Sequence, residues 1–171
     1  TNLNDPSTPP GPTPLRLYDA DNNTFLLNNA HIEIKGEYDS STEFVVEMDI
    51  GSNAFLDSAL THGTAEEFNI QEAYITTALS EELGLKVGKF ATSVGIEVIE
   101  APKNPVFSHG FLFTYAMPAT HTGLLLTYEQ DTLAFEIGMV NGWDRMAAYT
   151  NDPPFSANVN FEGRGCDTTV S

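Results

Sequence analysis

The segment Glu43-Phe44-Val45-Val46-Glu47-Met48-Asp49-Ile50 sets Phe44, Val46, Met48 and Ile50 on one side of an extended chain, and Glu43, Glu47 and Asp49 with Val45 on the other. Successive side chains of a strand point to opposite faces, so this period of two predicts a strand with one greasy and one acidic face. Residues 133–140 repeat the plan, with Leu133, Phe135, Ile137 and Met139 against Ala134, Glu136, Gly138 and Val140. Residues 26–35 set Ala30, Ile32 and Ile34 against Asn29, His31, Glu33 and Lys35. Residues 122–129 set Leu124, Leu126 and Tyr128 against Gly123, Leu125, Thr127 and Glu129. Residues 70–79, 83–90 and 157–162 add weaker strands, and in the first of these the two faces are not distinguishable. Turn residues fall between them at 36–41, at 80–82 and at Gln130-Asp131, which joins two strands directly.

Two stretches break the alternation, 51–67 and 91–119, the second carrying Pro102, Pro105 and Pro118 with the cluster Phe107, Phe111, Phe113 and Tyr115. Loops of this length within a compact chain are usually functional. The second leaves open inward folding or a short helix. Residues 1–16 read as an extended tail, with five of the ten prolines in the first 14 positions, and residues 17–171 as strands with the two long loops.

Composition narrows what such a chain does. Among 171 residues, 41% are hydrophobic and 7 Lys and Arg face 24 Asp and Glu, a formal charge of −17. That is too apolar for a disordered polyanion and too acidic for nucleic acid or anionic lipid held through a basic surface. No run approaches the roughly 18 apolar residues of a membrane-spanning helix, whereas a spanning strand needs only about 10 with half of them apolar. The single cysteine, Cys166, has no intramolecular partner, and no Cys/His grouping has structural-zinc spacing. No basic, apolar leader opens the chain, and a start at Thr1 favours a leader already removed or a boundary.

No residue is assigned a catalytic role, and no cofactor or metal is implied. Gly-x-Ser-x-Gly, His-Glu-x-x-His and phosphate-cradling glycine loops are absent, and the neighbours Ser108 and His109 would point to opposite faces of a strand. Asp19-Ala20-Asp21-Asn22-Asn23 begins like a calcium loop, but Thr24 stands where glycine is needed and Ala30 where the bidentate Glu should be, so a turn is the better account. His31, His62, His109 and His121 are scattered and read as ordinary polar residues.

Two architectures use alternating greasy and acidic faces. In a soluble sandwich the apolar faces of two sheets meet in a shared core. In an outer-membrane barrel the apolar face meets lipid and the polar face lines the lumen. Three features tilt toward the barrel: mid-strand carboxylates (Glu33, Glu47, Glu136), aromatics near strand ends that would form an interfacial girdle (Tyr74, Phe90, Tyr128, Phe161), and the only Trp, Trp143, at a turn rather than in a core.

Five segments in order and register carry a family resemblance: residues 17–28 (LYDADNNTFLLN), Gln71-Glu72-Ala73-Tyr74, Gly88-Lys89-Phe90-Ala91-Thr92 followed by Gly95-Ile96-Glu97-Val98, Pro118-Ala119-Thr120-His121-Thr122-Gly123, and Val140-Asn141-Gly142-Trp143-Asp144. Over residues 17–151 the chain resembles the OmpL-like β-barrel porins of Gram-negative outer membranes. The resemblance implies an all-β, antiparallel, up-and-down transmembrane barrel and a non-enzymatic channel for passive diffusion of small hydrophilic solutes. Its partners would be outer-membrane lipid and lipopolysaccharide and the solutes or cations that pass; a homo-oligomer would follow other porins only by analogy. Members of that family are roughly twice this length, and six or seven strands are too few for a conducting lumen. The chain is therefore expected to supply about half of the strands, as the amino-terminal portion of a longer polypeptide.

On this reading Glu33, Glu43, Glu47, Asp49, Lys86, Glu129 and Glu136 line the pore. The carboxylates would concentrate cations, unless they are merely solvated surface charges, and the effect would fade as salt shortens the Debye length. Lys86 and Lys89 would each pair with a carboxylate or set a transverse field. The 91–119 loop, with Glu97, Glu100, Lys103, Phe111 and Phe113, would act as a constriction or outer plug. The alternatives are a secreted β-sandwich binding carbohydrate through exposed aromatics, and a barrel serving as scaffold for a partner protein.

Overall fold

Short polar turns and two-faced strands build a meander. The computed structural model describes residues 25–54, 67–104, 109–130, 133–142, 144–147 and 157–163, with backbone alone for the last strand. The strands are β1 (Ala30–Glu37), β2 (Thr42–Ile50), β3 (Phe68–Ala78), β4 (Leu83–Ala91), β5 (Thr120–Gln130), β6 (Leu133–Val140) and β7 (Ala157–Gly163), with the short helix α1 (Phe111–Ala116) lying between β4 and β5. They form one seven-stranded sheet in sequence order, every neighbouring pair antiparallel. The fold is thus an all-β up-and-down sheet, part of a barrel wall, in which β1 and β7 are not paired with each other among the described residues. The Pro-rich tail, Trp143, His62, Ser108 and Cys166 lie outside the described residues.

The period of two places the strands within a few residues of their observed bounds, and the departures have local causes. β1 starts at Ala30 rather than near Leu26 because the carbonyls of Leu27 and Asn28 accept from Ser52 and Asn53 beyond β2, which takes them out of the ladder. Gly51, at φ +131°, makes that approach, and a side chain there would collide with both carbonyls. At its other end β1 runs on to Glu37, and the chain reverses where the Asp39 carboxylate accepts from the Ser41 backbone at 2.8 Å.

The indistinct faces of β3 trace to a bulge. Glu47 pairs with Glu72 but Met48 pairs with Ile70, which leaves Gln71 as an extra residue, and Asn69, Gln71 and Glu72 are all buried.

One row across the sheet decides between the two architectures. Phe44, Ile75, Val87, Leu124 and Met139 stand directly opposite one another from β2 to β6, each 40% to 53% exposed. Ile32, Ile34, Ile50, Phe68, Ile70, Phe135 and Ile137 add to this exposed greasy face. The opposite face carries the buried polar groups Glu47, Asp49, Gln71, Glu72 and His121, and no second sheet covers the apolar side among the described residues. A water-soluble monomer rarely exposes so large a patch; a barrel wall does so against lipid.

The only apolar core cluster among the described residues is Phe90, Leu125 and Val140, with Tyr74 packed against it. This overturns the girdle reading of two aromatics. Tyr74 lies opposite Gly88 on the face away from the greasy row, and Phe90 is 2% exposed, whereas a girdle residue must face outward. Tyr128 keeps a place compatible with a girdle, its ring 5.2 Å from that of Phe135 near the end of β5. Short turns join the strands at one end of the sheet (38–41 and 79–82), where β5 also ends and β6 begins, and the long connections leave from the other.

Candidate functional site

Strand register gathers the charges that alternation had only assigned to a face. Glu33 of β1 is opposite Glu47 of β2, which is opposite Glu72 of β3, so three carboxylates form one row. Like charges directly opposite one another are destabilising, so such a row is relieved by nearby cations or by a proton shared between neighbouring carboxyls. Lys35 reaches Glu33 at 2.9 Å. His31 Nδ1 lies 2.8 Å from Asp49 Oδ1, and its Nε2 is 3.9 Å from Glu47 Oε2.

The segment that leaves β4 turns back across this face. Ser93 Oγ donates to Glu136 of β6 at 2.5 Å, and Gln71 Nε2 of β3 donates to Glu100 Oε1 at 3.1 Å. Between them the Ala91 backbone donates to Glu72 at 3.0 Å. The loop holds its own shape through Asn104, whose side chain accepts from Val98 N at 2.8 Å and donates to Val98 O at 2.7 Å. Lys103 bonds Glu100 at 3.2 Å from a 3₁₀ turn, Ala101–Lys103. Burial opposes ionisation of Glu100, yet a backbone N–H, Lys103 and Gln71 outweigh it and hold its carboxyl below the usual range. Burial likewise opposes the charge on Lys103, and the Glu100 partner more than restores it, leaving the amine above its usual value.

The expected site residues separate into groups. Glu33, Glu47, Asp49 and Glu136 stand on the polar face in contact with other charges or with the crossing loop. Glu43 faces Glu37 and Thr76 and is exposed, and Glu129 is exposed opposite Ala134. Lys86 does not pair with a carboxylate among the described residues: its Nζ lies 4.9 Å from the Tyr74 ring centre and 5.7 Å from that of Phe90, a cation–π arrangement.

Within the loop, Glu100 and Lys103 join the acidic cluster, whereas Glu97 is spent on the Gly110 backbone at 3.1 Å. Phe113 is buried and stacked on His109 at 4.1 Å, and Phe111 is exposed beside Tyr115, so neither ring touches the cluster. None of Gln71, Glu72 and His31 is a pore-lining residue on the sequence reading, which gives the first two only within a resemblance segment and His31 as an ordinary polar residue. His31 shares the parity of Glu33 and Lys35, which was the available signal; the bulge concealed the other two.

A family model described as "Putative beta-barrel porin-2, OmpL-like" matches residues 1–167. No curated protein matches the chain.

Proposed function

Since this chain belongs to the OmpL-like β-barrel porin family, we propose that it forms part of the wall of an outer-membrane channel through which small hydrophilic solutes diffuse passively, cations in preference to anions. The observation that carries the reading is the carboxylate row Glu33–Glu47–Glu72, with Glu100 held over it by Gln71. A partly desolvated row of one sign attracts counter-ions and repels co-ions. The exposed row from Phe44 to Met139 would face lipid and lipopolysaccharide acyl chains.

The crossing segment, residues 92–104, is the constriction, which narrows the proposed element from the whole of 91–119. The short turns would face the periplasm and the long connections the exterior, as in other outer-membrane barrels. Eight strands enclose a lumen filled by side chains, so a conducting pore takes strands beyond the seven described here.

Reversal potential across a planar bilayer under a KCl gradient tests the selectivity. Cation preference that declines on replacing Glu33, Glu47 and Glu72 together by Gln, and declines with rising salt, is the expected result. Anion preference, or selectivity indifferent to that triple replacement, overturns the reading. Absence of any conductance would favour a scaffold role.

A further inference from the structure

We propose that His31, Glu47 and Glu100 form a binding site for a first-row divalent cation of the zinc type, which ties the 92–104 loop to the strand wall. The three come from β1, β2 and the loop, and each offers a ligand atom within 4.8 Å of the other two. Proximity of acids alone would not make a site; the hydrogen bonding around them does.

His31 is oriented by Asp49, which is 1% exposed and meets Nδ1 at 2.8 Å. A carboxylate takes a proton rather than giving one, so Nδ1 carries the hydrogen, and in its neutral form the ring presents the Nε2 lone pair. A carboxylate behind the far nitrogen is the usual support of a metal-bound imidazole. Facing that lone pair at 3.9 Å is Oε2 of Glu47. Glu47 is 5% exposed, and this oxygen is fully buried without a hydrogen-bond partner. The separation is too long for a hydrogen bond, and leaving a buried acceptor unmet is costly. Two inward-facing electron-pair donors this far apart suit a cation that bonds nitrogen and oxygen at about 2.0–2.2 Å each.

Glu100 completes the set from the loop, its position fixed by Gln71 Nε2 at 3.1 Å and Lys103 Nζ at 3.2 Å. With Glu33 and Glu72 beside them, the carboxyl groups of this cluster outnumber the amines of Lys35 and Lys103. One imidazole with carboxylates favours zinc and its neighbours over calcium or magnesium, which prefer all-oxygen shells. The site goes beyond conduction: a bound ion would clamp the loop where it crosses the wall.

The test is equilibrium dialysis of the purified protein in detergent against Zn2+, with the visible spectrum of Co2+ as a report on ligand geometry. One equivalent bound is expected. Glu100→Gln and His31→Gln should each weaken binding at least 10-fold, and Asp49→Asn, which touches no metal, by about 10–100-fold. Glu81→Gln in the β3–β4 turn should change nothing. Because Glu100 lies in the loop, its replacement leaves the strand ladder intact, so its result stands even where the His31 variant fails to fold. Absence of binding, as expected if His31 is instead a protonated bridge between Asp49 and Glu47, overturns the proposal, and so does binding indifferent to Glu100→Gln. Dialysis needs no conductance, so failure of the metal site and failure of the channel reading are separately visible.

Discussion

Gln71 and Glu100, 29 residues apart in sequence, meet through a 3.1 Å hydrogen bond that joins the bulge in β3 to the loop after β4. The bulge makes this contact: without the extra residue, the ladder would turn either Gln71 or Glu72 outward. Gln71→Ala should therefore loosen the loop without unfolding the sheet. A double-mutant cycle with Glu100→Ala is expected to show a coupling of about 1 kcal/mol in urea-induced unfolding. Additive effects would mean that the bond contributes nothing.

Shortening the crossing loop tests whether it obstructs the pore. Replacing residues 93–104 by a short Gly/Ser connection should raise single-channel conductance, because Ser93 and Glu100 hold this segment over the face that carries the charges. Unchanged conductance in a correctly folded protein would count against a constriction.

How far the sequence led depended on the range of the interaction. Alternation is local, so the seven strand positions and the two-faced design were legible from segments such as 43–50. Register is less local: the turn read at 36–41 overlaps the last two residues of β1, and only the observed pairing of Glu37 with Glu43 sets His31 opposite Asp49. The bulge at Gln71 changes the phase of β3, which is why Tyr74 was assigned to an outer girdle while its side chain packs against Phe90, Leu125 and Val140. Contacts from the loop to the wall leave no periodic trace. Glu100 and Lys103 stand out in the sequence by charge, and Phe111 and Phe113 by aromatic content, and only the charged pair reaches the cluster.

The two faces of β5 should respond oppositely to the same substitution. Leu124→Arg places a cation on the exposed apolar row and should cost about 2–4 kcal/mol if that row lies near the bilayer midplane. Thr127→Arg, on the polar face opposite Gly84 and Glu136, should cost far less and lower the cation preference. Reversible urea unfolding in lipid vesicles measures the difference. Equal costs would mean that the greasy row does not meet lipid.

Asp144 gives a pH dependence of defined sign. Its Oδ1 accepts from the backbones of Ala119 and Thr120 at 2.8 and 2.7 Å, closing the entrance to β5, and its own backbone sits at φ 47°. Burial raises its pKa, more than those two donors and the charge of His121 lower it. A carboxyl raised on folding binds its proton more tightly when folded, so stability falls as pH rises from the ordinary carboxylate range through the raised value and is level on either side. Asp144→Asn keeps an acceptor and tolerates the left-handed backbone, so it should match or exceed the parent at neutral pH and abolish this pH step. Asp144→Ala orphans both N–H groups and should lose about 1–3 kcal/mol. Thermal unfolding in detergent between pH 3 and pH 8, on an approximate scale set by the usual carboxylate range, separates the cases; an Asn variant as weak as the Ala variant would show that the charge itself is needed.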